Sequence, residues 1–166
     1  MDTLGDSALR ALAERAGQLL LAKRRRVVTA ESCTGGWVAK CLTDVPGSSQ
    51  WFERGYVTYS NEAKEQSICV AASVIATFGA VSRPTVEQMA AGALHASGAD
   101  VAVAITGIAG PDGGSADKPV GLVWLALASR QTTPIVQQHF FRGDRETIRR
   151  ASVAAALNLI IAVGQS

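Results

Sequence analysis

The sequence predicts an α/β protein, a three-layer α/β/α sandwich around a mixed, mostly parallel sheet, as a single domain over residues 1–166. Three observations carry this. The chain is 48% hydrophobic and holds 16 glycines, which suits a domain whose parallel strands are apolar on both faces. Short β-branched runs alternate with longer segments of helical periodicity. The last two strands, after residue 120, follow one another with no helix between them, so they pair antiparallel and make the sheet mixed.

Leu9, Leu12, Ala13, Ala16, Leu19 and Leu20 recur at helical spacing and predict a first helix over residues 7–23. Lys23-Arg24-Arg25-Arg26 falls where that helix ends, a place where cations meet the negative end of the helix dipole and stay solvated. Arg26–Ala30 is a short strand. Trp37, Val38, Cys41, Leu42 and Val45 form one helical stripe, stopped by Pro46-Gly47. Gly55–Ser60 reads as a strand, and Asn61 as the N-cap of a helix running to Ile68. A further short helix is expected over residues 71–77. Ser82 and Pro84 open the next helix, which turns Val86, Met89, Ala90 and Ala93 inward.

Asp100–Thr106 is a continuous apolar run of strand length, hence a central buried strand. It empties into the glycine-rich loop Gly107–Gly114. Gly121–Ala128 and Ile135–Phe141 are the remaining strands. Asp144 caps a last helix over Arg145–Val163, with Ile148, Ala151, Ala155 and Leu159 facing inward.

Sixteen basic and fourteen acidic residues leave a net charge of +2, and aromatic residues make up 5% of the chain. That balance does not indicate nucleic-acid binding. Cys33, Cys41 and Cys69 show no C-x-x-C spacing, so neither a zinc site nor a disulfide framework is indicated. The first twenty residues read as an amphipathic helix rather than a signal peptide. Apolar runs are too short and interrupted to span a bilayer. A reducing cytoplasm is the expected compartment.

The run Val27-Val28-Thr29-Ala30-Glu31-Ser32-Cys33-Thr34-Gly35-Gly36-Trp37 carries the chemistry. It is a strand–loop–helix junction with Ser32 in the bend. Backbone N–H groups near Thr34, Gly35 and Gly36 are candidates to cradle a phosphate or to hold the oxyanion formed when Ser32 attacks a carbonyl. The plainer reading, a tight turn rich in N-cap residues, fits the local pattern equally well.

His95 and His139 lie outside both glycine-rich loops, so a Ser-His-Asp triad is not expected. Neither a P-loop nor a Rossmann fingerprint occurs. A base for Ser32 must then be Lys, Tyr, Asp or Glu. Lys64 stands in the first turn of a predicted helix, where the dipole and partial burial both lower an amine's pKa. Tyr59, five residues earlier, is placed to relay a proton between Ser32 and Lys64. On spacing alone, a solvated lysine and a half-buried strand tyrosine explain both residues as simply. Gly47-Ser48-Ser49 is a rival nucleophile site that also suits a helix N-cap before Gln50-Trp51-Phe52. Cys33 has no histidine to activate it.

The loop at 107–114 leaves the central strand at its carboxyl end, where open α/β sheets bind ligands. Thr106, Gly107 and Gly110 are therefore substrate-binding candidates, with Lys118 and Arg145 as sources of charge for a phosphate. Arg145 is followed by Glu146, and a surface ion pair is its alternative role.

Ala30-Glu31-Ser32-Cys33-Thr34-Gly35-Gly36 and Gly55-Tyr56-Val57-Thr58-Tyr59-Ser60-Asn61-Glu62-Ala63-Lys64 closely resemble the CinA C-terminal domain family. So do Gly79-Ala80-Val81-Ser82, Thr106-Gly107-Ile108-Ala109-Gly110-Pro111-Asp112-Gly113-Gly114 and Lys118-Pro119-Val120-Gly121. The resemblance runs from about residue 7 to 162 and looks like the stand-alone form, without the molybdopterin-binding-like domain of longer relatives. It implies an α/β/α sandwich assembled as a homodimer, with no metal or organic cofactor.

It also implies nicotinamide-nucleotide amidase activity: hydrolysis of nicotinamide mononucleotide (NMN) to nicotinate mononucleotide and ammonia, in pyridine nucleotide salvage. The family's serine, tyrosine and lysine fall on Ser32, Tyr59 and Lys64. The expected mechanism has Ser32 attack the carboxamide while its proton passes through Tyr59 to Lys64. A nucleotide-binding module with the same pocket and little chemistry is the alternative. A competence or DNA-damage role rests on the family's name and has no support in the composition.

Overall fold

In the computed structural model, which describes residues 4–130 and 132–165, a five-stranded sheet runs in the order β2-β1-β3-β4-β5. The strands are β1 Val27–Glu31, β2 Phe52–Val57, β3 Val101–Gly107, β4 Leu122–Ser129 and β5 Ile135–Phe140. β1 pairs parallel with β2 and β3, and β4 pairs antiparallel with β3 and β5. Four strands thus point one way and β4 the other, as the missing helix between β4 and β5 requires.

The helices are α1 Asp6–Ala22, α2 Trp37–Thr43, α3 Asn61–Ile68, α4 Ala72–Phe78, α5 Arg83–Ser97 and α6 Arg145–Gly164. They cover both faces of the sheet. Val27, Val103, Ile105, Leu125 and Leu127 point to one face, under α1, α2 and α6. Val28, Ala30, Ala102, Ala104, Ala126 and Ala128 point to the other, under α3, α4 and α5. The period of two along each strand sorts the larger side chains to the first face and mostly alanines to the second. The second layer is accordingly close-packed. A Cβ added at Gly92 of α5 would stand 1.8 Å from the carbonyl oxygen of Ile68 at the end of α3.

Four expectations are revised. β2 begins at Phe52 and ends at Val57 rather than covering Gly55–Ser60. It is an edge strand of mixed exposure, so its limits follow pairing with β1, from Val27↔Phe52 to Glu31↔Val57, rather than any periodicity of its own. The N-cap of α3 is Ser60, not Asn61, because the Ser60 hydroxyl accepts the Ala63 N–H at 3.0 Å. That places Lys64 one position deeper in the helix. Ala151 and Ala155 of α6 are only half-buried, since the helix turns Ile148, Val153, Leu157 and Ile160 into the core instead. Finally, α6 is long and apolar enough to cross a membrane by length and composition, contrary to the reading of the apolar runs. Its most apolar stretch is 61% buried against the rest of the protein, which marks it as a core helix.

Ser48 and Ser49 lie in a short 3₁₀ turn, Ser48–Gln50, that leads into the amino end of β2. Arg26, at the same pole, donates its backbone N–H to Asp100 and pairs with Glu53 at 2.8 Å. Ser32 leaves the carboxyl end of β1, at the opposite pole.

Candidate active site

β1 delivers Ser32 to the carboxyl edge of the sheet, and the Ser32 N–H bonds the Ile105 carbonyl of β3 at 3.0 Å. On the other side, the Thr58 N–H bonds the Glu31 carbonyl at 2.8 Å and extends the β1–β2 ladder by one residue. The chain then turns into α3, whose fourth residue is Lys64. Although a lysine, Lys64 is 1% exposed. Its Nζ lies 3.1 Å from Ser32 Oγ and donates to the carbonyls of Thr58 at 2.9 Å and Tyr59 at 3.2 Å.

Burial pushes the Lys64 amine below its usual pKa, against an opposing pull from Cys33. No carboxylate pairs with Lys64 among the described residues. The Ser60 carbonyl stands 3.5 Å from the same Nζ, so the amine is held among three carbonyls with the Ser32 hydroxyl as its fourth polar neighbour. The arrangement is that of a nucleophile in direct contact with a general base. Cys33 is no rival, because burial pushes its thiol up to about 12 and keeps it protonated.

The expected relay order is not the one the side chains adopt. Lys64 reaches Ser32 with nothing between them. Tyr59 turns its carbonyl to Lys64, while the residue as a whole is 61% exposed and its hydroxyl accepts from Arg145 Nη2 at 3.3 Å. Arg145 Nη1 also donates to the Gly110 carbonyl at 2.8 Å. The guanidinium therefore joins the 107–114 loop to Tyr59 across the mouth of the site.

A cavity of about 270 Å³ opens onto Ser32, lined also by Tyr59, Asn61, Lys64, Thr106, Gly107, Gly110, Asp112 and Arg145. The structure thus gathers Ser32, Tyr59, Lys64, Thr106, Gly107, Gly110 and Arg145 around one space. Thr106 is already engaged, donating its hydroxyl to the Ala80 carbonyl at 2.8 Å. Gly107 is required by packing, since a Cβ there would stand 2.7 Å from the Val123 side chain. Lys118 lies elsewhere and ties its ammonium to the Phe78 carbonyl at 2.6 Å. His139 stacks on Phe141, with ring centroids 5.1 Å apart, away from this cavity.

Thr34, Gly35 and Gly36 do not line this space. They border a larger cleft of about 820 Å³ shared with Trp37, Lys40, Arg149 and Arg150. Left-handed φ angles of +60° at Gly35 and +97° at Gly36 swing the chain to that side. The first N–H groups of α2 are also already used. Buried Glu31 accepts from Val38 N–H at 2.9 Å, Ala39 N–H at 3.0 Å and the Thr34 hydroxyl at 2.7 Å. A carboxylate from the preceding strand caps the helix, so α2 has no free first-turn donors for an outside anion. Sequence reading missed Glu31, although a charged residue closing an otherwise apolar strand is a visible signal.

The CinA C-terminal domain matches residues 9–163 of the chain. The chain is similar to the nicotinamide-nucleotide amidohydrolase PncC of Escherichia coli (strain K12), 57% identical over 155 residues, which cover 93% of this chain and 94% of that protein. It is 50% identical over 153 residues to the protein of the same name from Pseudomonas putida, covering 92% and 95% of the two. Among solved structures, the competence/damage inducible protein CihA from Agrobacterium tumefaciens aligns with a TM-score of 0.92 at 48% identity, over 96% of each chain.

Proposed function

Because the chain belongs to the CinA C-terminal domain family, we propose that it hydrolyses the carboxamide of NMN to nicotinate mononucleotide and ammonia, a step in pyridine nucleotide salvage. The observation that carries this reading is the 3.1 Å contact between Ser32 Oγ and the buried Lys64 Nζ. The similarity to proteins named nicotinamide-nucleotide amidohydrolase supplies the substrate.

In this mechanism Ser32 Oγ attacks the carboxamide carbon as its proton moves to neutral Lys64. The resulting ammonium keeps its bonds to the Thr58 and Tyr59 carbonyls and turns its remaining N–H toward the reacting centre. It protonates the leaving nitrogen, the C–N bond breaks, and ammonia departs from a nicotinoyl ester of Ser32. Water then attacks the ester and gives a proton to Lys64, which returns it to Ser32 Oγ. Tyr59 completes the proposed Ser-Tyr-Lys set from the mouth of the cavity, where with Arg145 it holds the nucleotide. Thr106, Gly107 and Gly110 form the wall opposite.

All these steps use side chains of the chain itself. Among the described residues, no group of three or more His, Cys, Asp or Glu side chains gathers to hold a metal ion. The proposed setting is a cytoplasmic homodimer. The test is to incubate the purified protein with NMN and follow ammonia and nicotinate mononucleotide together. Stoichiometric appearance of both supports the reading. Binding of NMN without ammonia release leaves a nucleotide-binding module in its place.

A further inference from the structure

The cavity at Ser32 carries two opposite charges that do not pair. Asp112 is the only carboxylate among the described residues that line it, and Arg145 brings a guanidinium to its mouth. Arg145 Nη1 is held by the Gly110 carbonyl at 2.8 Å, two residues before Asp112. Two residues of chain span at most about 7 Å, so one loop anchors both charges near enough to meet. Arg145 instead takes two neutral partners, the Gly110 carbonyl and the Tyr59 hydroxyl. No ion pair or hydrogen bond reaches the Asp112 side chain from the described residues.

The loop that carries Asp112 is fixed. Ile108 N–H bonds the Leu122 carbonyl at 2.9 Å, and Gly121 N–H bonds the Ile108 carbonyl at 2.7 Å. Gly110 and Gly114 lie against Val120. A Cβ at Gly110 would stand 2.5 Å from the Val120 side chain, and one at Gly114 would stand 2.9 Å from the Val120 nitrogen. Asp112 itself is exposed, so its carboxylate stays hydrated without a partner and is open to a ligand.

Separated charges of opposite sign suit a ligand that is itself dipolar. NMN is one: an anionic 5′-phosphate and a cationic pyridinium nitrogen stand at opposite ends of its ribose. With the carboxamide at Ser32, the ring enters the cavity and its cationic nitrogen lies meta to the reacting group. Lys64 works there as a neutral base and supplies no counter-charge. Glu31 supplies none either, because its carboxylate is taken up by Thr34 and the start of α2.

We infer that Asp112 recognises the cationic ring of the substrate, and that the site thereby selects a pyridinium nucleotide over the same nucleotide with an uncharged ring. The inference rests on the amidase reading above and adds to it the residue that reads ring charge.

The probe is the reduced, dihydropyridine form of NMN, which keeps the carboxamide, ribose and phosphate on a neutral ring. Calorimetry gives dissociation constants for both nucleotides in the full chain. A Ser32→Ala background prevents turnover, and the measurement is made with and without Asp112→Asn. The background protein is expected to prefer NMN. Asp112→Asn is expected to cut that preference about fivefold, the upper range for an exposed ion pair, by weakening NMN and leaving the reduced form unchanged. Asp112→Glu keeps the charge and is expected to keep the preference.

Equal losses for the two nucleotides would assign the carboxylate to the ribose hydroxyls and overturn the proposal. Tighter binding of NMN to Asp112→Asn would set Asp112 against the phosphate and overturn it too, as would an unchanged preference or no binding of NMN to the background protein. A parent protein that binds NMN and releases no ammonia removes the amidase reading alone, and the dissociation constants still decide whether Asp112 reads ring charge.

Discussion

Lys64 Nζ reaches Ser32 Oγ across thirty-two residues of sequence, and the two are brought together by a single parallel pairing. β1 ends at Glu31 beside Val57 of β2, so the residues that leave these two strands diverge from one point. One becomes the Ser32 loop and the other the turn into α3. The short ladder that joins them sets the distance between the proposed nucleophile and its proposed base.

Ser32→Ala is expected to lower ammonia release by several orders of magnitude, as nucleophile losses do, and to leave the melting temperature near that of the parent. Only one oxygen is removed from a loop that backbone bonds hold. Parental turnover in the purified variant would return attention to other serines, although Ser48 and Ser49 stand at the wrong pole.

The pH dependence follows from the lowered pKa of Lys64. Activity is expected to rise with pH through an ionisation below 10.5, the ordinary value for lysine, because the base works in its free form. Lys64→Arg keeps its proton throughout and is expected to be inactive at every pH. A Lys64→Arg enzyme with most of the parental rate would make Lys64 an anchor and not a base.

The same shift makes a statement about stability. The folded state binds fewer protons at Lys64 than the unfolded chain does, between the depressed pKa and 10.5. Stability therefore rises with pH across that window, and the burden of the buried ammonium is full below it. Lys64→Met is expected to flatten this dependence in urea titrations at a series of pH values. An unchanged slope in the variant would mean that Lys64 is not the group responsible.

Arg145 and Tyr59 are expected to govern binding rather than proton transfer. Arg145→Ala should lower kcat/KM for NMN while leaving nicotinamide riboside, already a poor substrate for lack of the 5′-phosphate, little changed. Tyr59→Phe should alter KM and keep the alkaline rise in rate, since Ser32 and Lys64 touch without the phenol. If the rise vanished in Tyr59→Phe, the hydroxyl would be part of the proton path after all.

Glu31→Gln is expected to destabilise the fold by about 1–3 kcal/mol, the usual penalty for an unsatisfied buried polar group, and to lower turnover. The amide offers N–H donors where three donors already converge on the carboxylate. Chemical denaturation and ammonia release, measured on the same preparation, check both halves.

Much of this site was legible in the sequence, and the remainder has identifiable causes. The continuous apolar run of β3 and the bend at Ser32 are local patterns, so they could be read directly. The helix position makes Lys64 a candidate base that spacing alone does not separate from a solvated lysine, and the family resemblance singles it out. Its contact with Ser32 depends on pairing between two distant strands, which periodicity does not report. Glycines near a helix start make Thr34, Gly35 and Gly36 candidate ligand donors. In the fold Glu31 takes the N–H groups of Val38 and Ala39 at the start of α2, and two left-handed residues carry the loop to the other side. The start of β2 was obscured because an edge strand half open to solvent has no clean alternation.

Arg145 and Arg149 sit one turn apart on α6, about 6 Å along its axis, and grip opposite sides of the site. The first spans the entrance through Gly110 and Tyr59, while the second braces the back of the Ser32 loop. A single stiff rod thus sets both the width of the doorway and the tilt of the floor. Core substitutions far down α6, at Leu157 or Ile160, that let the rod slide or roll would loosen both together. Turnover and nucleotide affinity would then fall in step, although neither residue approaches the cavity.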